Sequence, residues 1–298
     1  MGDWHPESPA RLDAIASQLV RSQLDPFLEH RTGPVATEEQ LARVHSLGSI
    51  QLVRQQAQNL VAQGGDYYPL DGDTLLNQHS WNAALAAAGA AIAATDAVIK
   101  GELENAFCAI RPPGHHARPS EAMGFCLFNN VAVAIEHALQ AHGLQRVAIV
   151  DFDVHHGNGT EEAFANDSRV LMVSFFQHPF YPFSGNQKTS SNCVNVPVPA
   201  NSSGEVVRQL VLEQWLPALH AFQPEMIFIS AGFDAHREDD IGGMRLVEAD
   251  YAWLTKQVMA LAKQYAKGRI VSCLEGGYNL SALGRSVAAH IKVLAELD

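Results

Sequence analysis

The sequence predicts an α/β fold, a single domain on a mainly parallel sheet with helices on both faces. Three observations point to it. Short apolar runs at 106–110, 147–150, 170–175, 226–230 and 270–274 have the length and near-continuous hydrophobicity of strands buried on both faces. Segments with apolar residues three and four apart lie between most of them, at 130–141, 206–222 and 249–266, giving the strand–helix alternation of a parallel sheet. No internal repeat, low-complexity tract or linker breaks that alternation, so residues 1–298 are expected to form one domain.

Each element has a local reason. The opening helix is signalled by Ser8 as N-cap and Pro9 at the first helical position, followed by Leu12, Ile15 and Leu19 on one face. The apolar stretch at 83–94 falls short of the roughly 20 residues a membrane span needs, and reads as a core helix. Residues 177–204 lack periodicity and are rich in Pro, Ser and Asn. They carry Phe180, Tyr181 and Phe183, as a functional loop would.

Composition narrows the function. A net charge of −12 over 298 residues repels polyanions, so nucleic acid is not expected as a direct ligand and a cationic amine is favoured. Cys108, Cys126, Cys193 and Cys273 occur singly, as buried reduced thiols of a cytoplasmic enzyme would. The segment Met1-Gly2-Asp3-Trp4-His5-Pro6 has neither the basic region nor the apolar segment of a secretory signal. Pro6 stands where a myristoylation signal needs Ser or Thr, so no membrane association is expected.

The chemistry gathers just after the predicted strands, where open α/β sheets bind their ligands. In Asp151-Phe152-Asp153-Val154-His155-His156, alternate side chains project together from a strand end, so Asp153 and His155 point the same way. Asp234 adds a third donor from another strand, the mixed nitrogen and oxygen set of a catalytic zinc with an open position. His156 faces elsewhere and is expected to pack. His115 and His116 follow Pro112-Pro113-Gly114 in a stiff loop and suit general acid–base work, with Asp151 and Asn158 as candidate partners orienting them. Tyr278, in Glu275-Gly276-Gly277-Tyr278-Asn279, could donate a hydrogen bond to an oxyanion. One Asp-x-His or one pair of histidines alone more often satisfies a loop; their joint occurrence after separate strands carries the assignment.

These motifs, with Arg111-Pro112-Pro113-Gly114-His115-His116-Ala117 and Ser230-Ala231-Gly232-Phe233-Asp234-Ala235, resemble the zinc-dependent histone deacetylase superfamily, and best its class II and bacterial amidohydrolase-like branch. The resemblance runs from His5-Pro6-Glu7-Ser8-Pro9 to beyond Tyr278. It implies the arginase/deacetylase fold, with an eight-stranded sheet, and zinc on Asp153, His155 and Asp234. It also implies a first potassium ion at Asp151, Asp153, His155, Ser174 and Phe175, and a second at Phe164, Asp167 and Val170. Gly124, Phe125, Tyr181 and Gly277 match the acyl-lysine tunnel, and Asp73 matches the loop aspartate that holds the substrate backbone. Asn158 and Glu275 follow the class II pattern, and the strand that precedes the His5 segment in relatives is expected to be missing.

The implied reaction is zinc-dependent removal of acetyl or other acyl groups from lysine in proteins or peptides, with acylated polyamines or other small acylated amines as alternative substrates. An arginase-like pair of manganese ions would need further carboxylates where Gly157 and His236 stand. A catalytically silent acyl-lysine binding module would have lost a histidine or the tyrosine, and His115, His116 and Tyr278 are all present.

Overall fold

The computed structural model describes residues 1–2, 4–187 and 190–297. The chain opens with α1 (Ala10–Arg21), which buries Ile15, Leu19 and, unexpectedly, Arg11. It starts one residue later than predicted. Pro9 is the cap residue, already in helical conformation, and the Ser8 carbonyl rather than its hydroxyl meets the Arg11 N–H at 3.1 Å. A 3-10 turn, α2 (Glu38–Leu41), α3 (Leu47–Gln63), a small antiparallel ribbon of β1 (Tyr68–Pro69) and β2 (Leu75–Leu76), and α4 (Ser80–Ile99) follow. By length and composition α4 is apolar enough to cross a membrane, but half of its most apolar window is buried inside the protein. It is a core helix, as expected.

The remaining elements are β3 (Asn105–Cys108), α5 (Asn130–Ala141), β4 (Val147–Asp151), α6 (Asn158–Phe164), β5 (Val170–Gln177), β6 (Cys193–Val198), α7 (Gly204–Leu210), a π-helical turn (Val211–Trp215), α8 (Leu216–Phe222), β7 (Met226–Ala231), α9 (Glu248–Tyr265), β8 (Ile270–Leu274) and α10 (Leu280–Leu294). The six strands β3 to β8 form one sheet in the order β3-β8-β7-β4-β5-β6, with every pairing parallel. The α/β class holds. The strand count does not: among the described residues the sheet has six strands where family resemblance implied eight.

The sheet is covered on both sides because its strands alternate between two cores. Ala148, Val150, Ile227 and Ile229 join Ile15, Tyr251, Leu254 and Val287 from α1, α9 and α10. Val147, Ile149, Met226 and Phe228 join Ala91, Val98, Val131 and Ile135 from α4 and α5. The predicted loop at 177–204 contains β6, an edge strand hidden in sequence by Asn195 and by Pro197, which an edge position tolerates. The chain runs outward from β4 through β5 to β6, then returns to place β7 on the other side of β4. The strand order therefore reverses beside β4, where a crevice opens at the carboxyl ends of the strands.

Candidate active site

Every predicted motif sits at that end of the sheet: residues 151–156 leave β4, 232–234 leave β7, 275–279 leave β8 and 111–116 follow β3. Asp153, His155 and Asp234 come together with one donor atom from each within 4.8 Å of the others. His155 Nδ1 lies 2.9 Å from Asp153 Oδ1 and 3.2 Å from Asp234 Oδ2. The other oxygens are tied down: Gly276 N–H donates to Asp153 Oδ2 at 2.9 Å and Val154 N–H to Asp234 Oδ1 at 2.9 Å. Asp234 Oδ2 is buried with no hydrogen-bond donor of its own. A buried carboxylate oxygen left so is costly unless a cation meets it, so one nitrogen and two carboxylates fit a zinc ion. Gly276 is required here, since a Cβ at that position would run into Asp234 Oδ2.

The two histidines have different partners. His115 Nδ1 meets Asp151 Oδ2 at 3.0 Å, and its Nε2 lies 3.8 Å from Asp153 Oδ2. Burial works against a charge on His115, yet Asp153 and Asp151 outweigh it and lift its pKa to about 10. His116 Nδ1 meets Asn158 Oδ1 at 2.8 Å, an amide that supplies no charge. Burial, then the neighbouring His115 and His155, hold its pKa well below the usual histidine value. The two rings are thus pushed in opposite directions, with ring centres 4.1 Å apart.

A cavity of about 200 Å³ leads to this cluster, lined by His115, His116, His155 and Tyr278 among others. Asp73, Gly124, Phe125 and Tyr181 also line it. Gly277 does not; Gly276 takes that place, and the Gly277 carbonyl turns to accept from Arg11 Nε at 2.7 Å. Phe125 stands edge-on to Tyr278 with centres 5.7 Å apart, Tyr181 edge-on to His116 at 5.2 Å. Phe180, unassigned in sequence, lies almost flat on His155 at 5.3 Å and fixes the ring of that donor. The Asp73 loop is joined to the Phe125 wall through Thr74 Oγ1, which accepts the Phe125 N–H at 3.0 Å. Burial raises the Tyr278 pKa well above its ordinary value, so the phenol keeps its proton for donation.

The residues matched to potassium divide. Asp151 and Ser174 are register partners on β4 and β5 and both are buried, with Ser174 Oγ 3.3 Å from the Phe175 carbonyl. At the second group the Phe164, Asp167 and Val170 carbonyls do converge, but on the side-chain nitrogen of Asn192, at 2.7, 3.0 and 2.9 Å. An amide sits where resemblance implied an ion. His156 is buried as expected, but with polar partners rather than simple packing: Ser184 Oγ at 2.8 Å and Glu161 Oε2 at 2.7 Å. Gly157 has no room for any side chain, because a Cβ would run into Asp151 Oδ2. His236 accepts the Glu238 N–H at Nδ1 and turns Nε2 towards Glu248 at 3.6 Å. Neither position supplies a second metal.

Sequence reasoning missed the frame around the site. Arg11 is fully buried, donates to the Glu275 and Gly277 carbonyls, and lies 4.8 Å from the centre of the Tyr278 ring. Glu7, also buried, accepts from Arg11 at 3.3 Å and from Arg111 at 2.6 and 2.7 Å, linking the tyrosine loop to the histidine loop. Glu275 accepts the Gly114 and His115 N–H groups at 2.6 and 3.1 Å, and Asp239 accepts those of Tyr278 and Asn279 at 2.6 and 2.9 Å. The available signal was Glu7 and Arg11, four residues apart around the start of an otherwise amphipathic helix.

Residues 5–294 match the histone deacetylase domain family. The chain is 37% identical over 311 residues to histone deacetylase 14, chloroplastic, of Arabidopsis thaliana, covering 99% of this chain and 74% of that protein. It is 38% identical over 282 residues to the histone deacetylase-like amidohydrolase of Pseudomonas aeruginosa, covering 92% and 73%. The solved structure of the HDA15 HD domain superposes with a TM-score of 0.91 at 37% identity, covering 98% of this chain and 83% of that one. Nearly the whole chain shares that likeness, and it belongs to the histone deacetylase family.

Proposed function

We propose that the chain is a zinc-dependent deacylase that hydrolyses the amide of acylated lysine in proteins or peptides, with Asp153, His155 and Asp234 holding the ion. The observation that carries this reading is the buried Asp234 Oδ2, approached only by the His155 Nδ1 that would share the ion, in a three-donor cluster at the foot of a cavity lined by both histidines and Tyr278. Zinc bound there would supply Lewis acidity towards the acyl carbonyl and make a water molecule more acidic.

The chain's own groups divide the remaining work. His116 gives its Nδ1 proton to Asn158, which leaves Nε2 to take a proton from the attacking water and pass it to the leaving amine. His115, its Nδ1 anchored on Asp151, would place its imidazole beside the oxyanion that develops. The Tyr278 hydroxyl donates to that oxyanion. As water adds and the C–N bond breaks, the products are a carboxylate and a protonated amine. By the family resemblance, Asp151, Asp153, His155, Ser174 and Phe175 would hold a potassium ion, and Asp151 and Ser174 are paired across β4 and β5.

One feature favours an acylated polyamine as the alternative substrate. Asp73 lines the cavity, and after burial it and then Asp71 raise the Tyr181 pKa, so negative charge beside the cavity would suit a second positive charge on the substrate. Turnover of acyl-lysine peptides beside acetylpolyamines, with and without a chelator, separates these readings. Chelator-sensitive peptide hydrolysis is expected. Hydrolysis that survives complete removal of metal would contradict the zinc assignment, and exclusive polyamine turnover would select the alternative.

A further inference from the structure

We propose that Asn192 closes, with its own side-chain amide, the carbonyl cage that family resemblance assigns to a second potassium ion, so that this chain fastens α6, β5 and β6 together without a cation. The Phe164 carbonyl lies in the last turn of α6, Asp167 lies in the connection, and Val170 begins β5. Three carbonyl oxygens pointing at one spot repel one another and require a positive partner, either a cation or N–H groups. Asn192 Nδ2 occupies that spot, at 2.7 Å from Phe164 O, 3.0 Å from Asp167 O and 2.9 Å from Val170 O. A cation meeting all three oxygens would need the same place.

The amide is delivered by the sheet. Asn192 immediately precedes β6, and its backbone carbonyl accepts the Met172 N–H at 2.9 Å, which sets the start of the parallel β5–β6 pairing. The side chain therefore reaches the cage from a backbone already held by β5. Its remaining atom, Oδ1, is buried without a hydrogen-bond partner. That atom makes the proposal sharp, because the amide turned over would present four oxygens to one another and turn the cage into a cation site. The two orientations respond oppositely to potassium.

The test compares thermal unfolding midpoints of the wild type and Asn192→Ala in potassium chloride and in N-methylglucamine chloride at equal ionic strength. Any potassium held near Asp151 contributes to both proteins and cancels in the difference. With the amide gone, the empty carbonyls gain a use for the ion, so potassium is expected to raise the midpoint of Asn192→Ala by about 2–4 °C more than that of the wild type. An equal response in the two proteins overturns the proposal, since the amide then makes no difference to whether the cage takes an ion. A larger response in the wild type also overturns it, since Oδ1 is then an ion ligand. Should the alanine variant fail to fold, the isosteric Asn192→Asp replaces the donor with an oxygen and is expected to show the same excess response.

Discussion

Among the described residues two groups of three side chains bring aspartate and histidine together, and they differ in how well they are equipped to hold a metal. Asp153, His155 and Asp234 lie at strand ends beside a cavity; Asp96, His137 and His142 join the helices α4 and α5. In the second cluster Asp96 Oδ1 meets His137 Nε2 at 2.7 Å and His142 Nε2 at 2.6 Å. Arg43 donates to His137 Nδ1 at 2.9 Å, so the ring proton must sit on Nε2, the atom a metal would need bare. Lys100 adds another positive charge 3.8 Å from Asp96 Oδ2. Burial would raise the Asp96 pKa, but the His142 and His137 N–H groups bring it below the ordinary value. Asp96 is about one third exposed, so water also serves it, whereas Asp234 is fully buried with one oxygen unserved. The presence of aspartate and histidine alone does not separate the clusters. What surrounds them does.

Substitutions at the two carboxylates should give the largest contrast. Asp234→Asn is expected to lower zinc affinity and turnover by more than the ~10–100-fold that loss of an outer partner costs. Asp96→Asn should change turnover less than about twofold, as a partly exposed ion pair is worth at most ~1 kcal/mol. Metal content and turnover of the two purified variants check this, and equal losses would erase the distinction.

The buried arginine frame extends the comparison to a carboxylate that binds no metal. Glu7→Ala leaves Arg11 buried with carbonyl partners but no counter-charge, and should destabilise the fold by ~3–5 kcal/mol in chemical denaturation. An effect under ~1 kcal/mol would mean that solvent reaches Arg11 despite its burial.

A pH-dependent effect concerns buried histidines with no carboxylate. His290 is held between Thr255 and Ser272 hydroxyls, and burial lowers its pKa to about 3; burial likewise lowers His45 to about 4. Their contribution is complete above about pH 6.5 and drains as pH falls towards those values, because the unfolded chain takes up protons the folded chain refuses. Each should add roughly 1.4 kcal/mol per pH unit of acid lability within its window. His290→Gln should flatten the slope of stability between pH 6 and about 4, and an unchanged slope would show that His290 does not titrate there.

The contrast also explains what could be read from the sequence. The strand at 270–274 and the helix at 130–141 were legible to the residue, because burial on both faces or on one stripe leaves an unbroken pattern. The metal cluster was legible because its donors sit two apart on a strand end or directly after one. β6 was hidden by Asn195 and Pro197, and the helical stretch after residue 204 concealed a π-helical turn ahead of Pro217. Arg11, Glu7 and Asn192 were invisible for another reason. A charge or an amide reads as surface, and only the folded chain shows Arg11 under Tyr278 or Asn192 among three carbonyls.

Metal stoichiometry by elemental analysis is the most direct test of one zinc ion at the strand ends. Wild type and Asp96→Asn should each carry one zinc per chain after dialysis, and Asp234→Asn essentially none. Two metal ions per wild-type chain, or zinc retained by Asp234→Asn and lost by Asp96→Asn, would contradict the account.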